Sequence, residues 1–391
     1  MTHTASIIGA GPAGLMAAEL LATHGVQVTL YERQASVARK FLMAGRGGLN
    51  VTHSEPLPRF LARYTNAAPW LTPYIEAFPP EAVGAWCKGL GIETFTGTSG
   101  RVFPVEMKAS PLLRAWLNRL NGLGVQFITR ATWTGWDQSG ALTFQGSSPT
   151  RPDVTILAVG GASWPRLGSD GSWATLLPGT ELAPFKPANC GFLYNWSAHF
   201  AARFAGQPLK RITATIGPHT LPGELMITAS GIEGGAIYAL SAPLRDAIEQ
   251  SGTALLQLDL RPDLTREALA AKLGGSESLS TRLRKAGLAP VAVGLVQELR
   301  HRGNETPLAD LIKALPLHLT ATAGLARAIS TAGGIKRSEL TPDLMLRARP
   351  GIFAAGEMLD WDAPTGGYLL QACFALGRAA GQGALKFLAG L

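Results

Sequence analysis

Ala5-Ser6-Ile7-Ile8-Gly9-Ala10-Gly11-Pro12-Ala13-Gly14 begins as a short apolar run and passes directly into a glycine-rich turn. Residues 5–8 read as a buried parallel strand, and residues 15–24, rich in Ala, Leu and Met, read as a helix stopped by Gly25. Residues 26–31 form a second β-branched strand with Glu32 at its end. Each part has a physical task. Gly9 allows the tight turn, Gly11 lets backbone approach a pyrophosphate, and Gly14 lets the helix pack against the strand. Pro12 and Ala13 stand at the helix N-terminus, where unpaired N–H groups and the dipole favour phosphate. Glu32 is placed to accept hydrogen bonds from ribose hydroxyls, and its charge would repel a 2′-phosphate. The unit marks an adenine dinucleotide and does not separate FAD from NAD.

Working outward, 46% hydrophobic and 16% charged residues give enough apolar surface for two or three domains and exclude global disorder. The net charge of +8 favours an anionic partner: a dinucleotide, an acidic substrate, RNA or a membrane surface. Cys87, Cys190 and Cys373 are far apart, with no CxxC pair, so neither a redox disulfide motif nor a zinc pattern is present and no metal is expected. No apolar stretch is long enough to span a membrane, and the start lacks a signal-peptide pattern. The expectation is a cytoplasmic protein without a membrane partner.

Beyond Glu32 the chain turns basic and glycine-rich. Arg33, Arg39, Lys40, Gly45, Arg46, Gly47, Gly48 and Asn50 read as a second anion-binding lip over the pyrophosphate and ribityl region. With this loop following the glycine turn, the chain resembles the BaiN-like bacterial flavoproteins, described as NAD(P)/FAD-dependent or aminoacetone-oxidase-like oxidoreductases. The resemblance runs nearly full length. It is carried by Gly9–Gly14 with Glu32, the loop from Arg39 to Asn50, Gly100-Arg101-Val102-Phe103-Pro104, and Leu157-Ala158-Val159-Gly160-Gly161-Ala162-Ser163. Gly223-Glu224-Leu225-Met226-Ile227-Thr228, Ala355-Gly356-Glu357-Met358-Leu359-Asp360 and Thr365-Gly366-Gly367-Tyr368 complete it. Two features depart from the family pattern: the cysteine of a frequent Gly-Arg-Cys-Asn phrase has no clear counterpart in Arg46-Gly47-Gly48-Leu49-Asn50, and Leu369 stands where Asn is frequent, which marks a distinct subgroup.

The resemblance implies FAD, held in an α/β, Rossmann-like FAD-binding domain of the two-dinucleotide-binding-domain type with an inserted β-rich plus helical domain. Residues 1–188 and 325–391 then form the FAD-binding domain, 189–262 the β-rich insert and 263–324 a helical, basic insert. Ala131 follows a strand over residues 124–131 and is a backbone contact for adenine. Gly160 and Gly161 end another strand, where chain passes close to a ligand. Gly356 and Glu357 end a third, and by resemblance Gly356 and Asp360 reach the ribityl-phosphate part. Gly366, Gly367, Tyr368 and Leu369 lead into an Ala-rich helix whose N-terminus would face the flavin.

Three functional readings follow. The first is an FAD-dependent oxidoreductase reducing a conjugated C=C or C=O of a small molecule, with NAD(P)H as a transient electron donor. Tyr368, His53 and Lys108 are its candidate proton donors. The second is an RNA-associated flavoenzyme that modifies a base, suggested by Arg282, Arg284, Lys285, Arg300 and Arg302. The third is a non-catalytic FAD-binding regulatory module.

Overall fold

Five parallel strands carry the first unit: β1 (Thr4–Ile8), β2 (Gln27–Glu32), β3 (Gln126–Thr129), β4 (Val154–Leu157) and β5 (Ile352–Ala354). Their order is β5-β4-β1-β2-β3, with Ile7 in register with Leu30 on one side and Ile156 on the other. The order reverses at β1, so the connections that follow the paired carboxyl ends of β1 and β4 leave to opposite sides, the position where open α/β sheets bind ligands. The computed structural model describes residues 2–390, with no side chain described for Arg46.

Helix α1 (Pro12–Thr23) follows β1 at once and is buried from Ala13 to Leu21. Alanines and leucines suit that all-round burial, and truncating a buried leucine such as Leu15 or Leu21 to Ala would cost about 2–5 kcal/mol. The segment expected as a loop contains a short helix, α2 (Arg39–Ala44), which follows Ala38 in the left-handed region at φ 54°. Its Lys-Phe-Leu-Met-Ala run is built of good helix formers, and that propensity overrides the flexibility the neighbouring glycines suggest. Helix α3 (Ala109–Gly122) precedes β3, and α4 (Tyr368–Leu388) closes the unit. Small residues let α4 lie against α1: a methyl at Gly377 would stand 2.3 Å from the Ala13 carbonyl oxygen. The unit comprises Met1–Lys186 with Ser330–Leu391.

The second unit, Pro187–Ile329, has its own core. A seven-stranded antiparallel sheet runs in the order Leu315–Leu319, Ala254–Asp259, Pro208–Ile216, His219–Thr228, Gly231–Glu233, Phe192–Leu193 and Ala321–Thr322. Helices occupy Arg266–Lys272, Leu279–Lys285, Pro290–His301 and Leu308–Lys313. The stretch 263–324, read as helical, therefore also supplies two strands. Leu315, Leu317 and Leu319 are buried while Pro316 and His318 turn outward, the two-residue period of a strand. That pairing joins the β-rich and helical segments around one core.

Candidate functional site

A cleft of about 1060 Å³, its open mouth included, lies at the carboxyl ends of all five parallel strands. Residues 8–13 after β1, 31–33 after β2, 131–133 after β3, 158–160 after β4 and 355–357 after β5 line it. Parallel pairing forces this convergence, because every strand leaves the sheet at the same edge. Among the residues singled out above, Gly9, Gly11, Pro12, Ala13, Glu32, Arg33, Arg39, Lys40, Ala131, Gly160, Gly356 and Glu357 meet here.

The glycine turn separates packing from ligand space. At Gly9 (φ 101°) a methyl would lie 2.3 Å from the Ala158 carbonyl oxygen, and at Gly14 one would lie 2.0 Å from the Gly9 carbonyl oxygen. Protein contacts require both glycines. At Gly11 no protein atom stands within 4 Å of where a methyl would be, although Gly11 lines the cleft. Its small size leaves room beside the first turn of α1, where the N–H groups lack intrahelical partners.

Glu32 is held by backbone. Its Oε2 accepts from the Ala10 N–H at 3.2 Å and its Oε1 from the Gln34 N–H at 2.8 Å. Burial pushes its carboxyl above the usual range, partly opposed by those N–H groups. A carboxylate has further lone pairs, so it can still accept from hydroxyls in the cleft. Arg33 and Lys40 are not free cations. Arg33 pairs with Asp170 at 2.9 Å, and Lys40 donates to Glu357 at 2.7 Å and to Ser163 at 2.6 Å. Glu357 also accepts from the Thr331 N–H at 2.9 Å, and Thr331 Oγ1 from the Ala162 N–H at 2.8 Å. This network ties the exits of β4 and β5 to α2. Gly161 packs against Thr331 and Glu357 in the same network.

Two polar atoms at the cleft have no protein partner. Ser169 Oγ and Arg33 Nε are buried without a hydrogen bond. Buried polar atoms of this kind are matched by a ligand or water in the great majority of structures. Together with the open side of Gly11, they fit a phosphate- and hydroxyl-bearing dinucleotide. Ser169, Asp170, Ser172 and Trp173 are cleft residues that sequence reasoning missed. Trp173 donates to the Gly160 carbonyl at 2.9 Å, and Asp170 accepts from the Ser172 N–H at 3.0 Å. The Gly168-Ser169-Asp170-Gly171 run was the available signal.

The remaining candidates form a second constellation. Tyr368 is buried at the start of α4; its hydroxyl donates to Glu55, and its carbonyl accepts from Tyr64 at 2.7 Å. Burial, reinforced by Glu55, pushes the Tyr368 phenol well above its usual range. Glu55 in turn accepts from Arg63 Nε at 3.0 Å and Nη2 at 2.9 Å. The His53 ring stacks on Tyr368 with centroids 5.5 Å apart. His53 Nδ1 accepts from the Glu55 N–H, so Nε2 carries the proton and donates it to the Ser99 carbonyl at 3.0 Å. Both candidate protons are thus already engaged. Lys108 is exposed just before α3. Asn50 donates to the Thr52 and Val102 carbonyls while its Oδ1 is buried without a partner.

Gly366 and Gly367 precede α4 on the left-handed side of φ, and Leu369 packs against the core. Gly45 abuts Ala109, Gly48 abuts Met107, and Gly47 is exposed. The Arg46 side chain lies outside what the structure describes. Asp360 is exposed, and its N–H donates to the Ile335 carbonyl at 2.8 Å. Cys87, Cys190 and Cys373 are buried thiols whose protons burial holds on, Cys87 being pushed up to about 12. Among the described residues no cluster of His, Cys, Asp and Glu could hold a metal, and no helix is long and apolar enough to cross a membrane.

Residues 3–383 match the model of the HI0933-like protein Rossmann domain. The chain is 27% identical to the 3-dehydro-bile acid delta(4,6)-reductase of Clostridium scindens, across 97% of this chain and 98% of that protein. It is 26% identical to the ribosomal RNA dihydrouridine synthase of Haemophilus influenzae, across 93% of this chain and 94% of that one. Among solved structures it shares the fold of the 3-ketosteroid-delta4-(5alpha)-dehydrogenase of Rhodococcus jostii. That match has a TM-score of 0.53 at 16% identity, covering 98% and 97% of the two chains. A flavocytochrome c3 fumarate reductase aligns with a TM-score of 0.54 at 16% identity, covering 99% and 78%.

Proposed function

The chain belongs to the HI0933-like family of Rossmann-domain proteins and is an FAD-dependent oxidoreductase, and from that premise we propose that it reduces a C=C conjugated to a carbonyl in a small apolar molecule, with NAD(P)H as electron donor. The observation that carries the reading is the cleft itself: five strand ends, an open side at Gly11 and an unpartnered Ser169 hydroxyl. The first N–H groups of α1 would hold the pyrophosphate, Glu32 the adenosine ribose, and the Ala131 backbone the adenine. Arg33, Arg39 and Lys40 would supply positive potential, and Gly356, Glu357 and Asp360 would border the ribityl chain. Gly45–Asn50 and Gly366–Leu369 would border the redox ring. When bound, FAD supplies two-electron hydride chemistry. The protein holds Tyr368 as a neutral phenol through burial and Glu55, and Arg63 keeps Glu55 in place. The bile acid reductase relative favours an enone of fused-ring, steroid-like shape.

The test is anaerobic: reduce the purified yellow protein with NADPH or NADH and add a 3-oxo-4-ene steroid. Reoxidation of the flavin with formation of the saturated ketone is expected; reoxidation by oxygen alone would sink the reading.

The dihydrouridine synthase relative favours a second reading, reduction of an RNA base. The cations that suggested it are largely engaged locally. Arg302 pairs with Glu298 at 2.8 Å, Lys285 with Glu277, Arg282 donates to the Leu273 carbonyl, and Arg300 to those of Asn304 and Thr306. RNA retention that weakens steeply with salt, together with uridine-dependent reoxidation, would favour this alternative.

A further inference from the structure

A small antiparallel sheet of Thr94–Thr96, Arg101–Pro104 and Thr52–His53 lies beside Tyr368. His53 is in register with Arg101, and Phe95 with Phe103. Because side chains alternate along a strand, His53, Arg101, Phe103 and Phe95 share one face, while Pro104 turns inward and is buried. That face is apolar and open. The rings of Phe95 and Phe103 stack with centroids 5.8 Å apart, and Phe95 and Met107 are 41% and 38% exposed. A methyl at Gly48 would stand 2.6 Å from Met107 Cε and 3.6 Å from Phe103, so the glycine loop and the aromatic face are contiguous.

Arg101 brings a cation to this face. It is exposed; its carbonyl accepts from the Gly97 N–H, while its guanidinium makes no hydrogen bond or ion pair among the described residues. Its Nε lies 3.9 Å from where a methyl on Gly366 would be, next to Tyr368. The nearby carboxylate, Glu55, is held by Arg63 and Tyr368 and is not available to neutralise it.

We propose that Arg101 binds and polarises the substrate's carbonyl oxygen, and that Phe103, Phe95 and Met107 seat the apolar body beside it. This rests on the reading that Gly366–Leu369 border the redox ring. In the reduction, a hydride forms the new C–H bond at the β-carbon and the C=C electron pair moves toward the carbonyl oxygen. A proton from solvent then adds at the α-carbon as the carbonyl re-forms; reduced flavin is the reductant and ends oxidised. Negative charge develops on the oxygen, and a guanidinium there stabilises it more than it stabilises the neutral ketone. Arg101 therefore favours the reaction's enolate over its ground state. The Phe95–Phe103 rings beside the Arg101 guanidinium also favour a ketone on a flat hydrophobic skeleton.

The experiment uses the oxidised, flavin-loaded protein and substituted phenols, whose phenolates mimic the enolate, read by their charge-transfer absorbance across pH. The wild type should bind phenolate preferentially. Arg101→Ala should weaken phenolate binding by at least about tenfold and raise the pH midpoint of complex formation, with Arg101→Lys intermediate. Phe103→Ala should weaken binding at every pH without moving the midpoint. An Arg101→Ala protein with wild-type phenolate affinity and midpoint would overturn the assignment. The titration needs no turnover, so it can fail while NAD(P)H-driven enone reduction succeeds, and the converse result would count only against the reductase reading.

Discussion

The strand-end cleft and the constellation around Tyr368 are built by different physics. In the cleft, which the proposed reading gives to the adenosine half, the ligand-facing groups are the N–H groups opening α1, the turn at Gly9, and a carboxylate that the Ala10 and Gln34 backbone orients. Its charged side chains, Arg33, Lys40, Asp170 and Glu357, are already paired with one another. Around Tyr368, residues from three segments meet, among them His53, Glu55 and Arg63, Arg101, and Gly366 with Gln371. There the polar groups are mostly tied together, through Tyr368–Glu55–Arg63 and through Thr52 to Gln371 at 2.7 Å, while Arg101 stays unpaired. On the proposed reading, the constant ligand is held by preorganised backbone and the substrate is chosen by side chains.

The sharpest way to break this contrast is to compare two glycines of one turn. Gly9→Ala should destabilise the fold by more than about 3 kcal/mol, because its methyl meets the Ala158 carbonyl at a positive φ. Gly11→Ala should leave the apoprotein within about 0.5 kcal/mol of wild type in denaturant unfolding, yet emerge from purification depleted in flavin. Equal stability losses in the two variants would contradict the division between packing and ligand space.

Glu357→Gln comes next. Removing one partner of the Lys40 pair, with Glu357 only 8% exposed, should cost about 3 kcal/mol in denaturant unfolding. A variant as stable as wild type would mean that the pair does not hold the strand exits together.

Glu32→Gln should weaken FAD binding about tenfold in a fluorescence titration. Hydroxyl donors favour the ionised carboxylate, and burial raises its pKa, so wild-type affinity should fall as pH drops through that raised value, above 4.5. The glutamine variant should be flat across the same window.

The smallest effect is expected at Arg63→Ala, about 0.5 kcal/mol, because Arg63 is 52% exposed. Burial alone would raise the Glu55 pKa, but Arg63 and Tyr368 outweigh it and hold it below 4.5. A lowered carboxyl pKa stabilises the fold above 4.5, and that contribution disappears as pH falls through the folded value. The Arg63→Ala protein should therefore show a weaker loss of stability over that acid range.

How much of the site was legible follows the same division. The adenosine-end glycines and Glu32 were readable because strand, turn, helix and strand are consecutive, so spacing along the chain equals spacing in the cleft. Arg39–Ala44 was read as an open loop, although its own residues favour a helix. Ser169, Asp170 and Trp173 carry only the local signal of the Gly168–Gly171 run, which a surface turn would show equally. Only the pairing of Asp170 with Arg33 and of Trp173 with Gly160 brings them to the cleft. Lys40 and Glu357 were read separately as ligand contacts, and their mutual bond was invisible across hundreds of residues of chain.

The amino-acid sequence by itself determined the β1–α1–β2 unit, because a dinucleotide turn is a local matter of φ, of missing Cβ atoms and of one carboxylate at a strand end. Only the folded arrangement matches charges across segments, as in Arg33–Asp170 and Lys40–Glu357, and leaves the Arg101 guanidinium without a partner among the described residues. Pairing depends on distances between segments that no local pattern encodes.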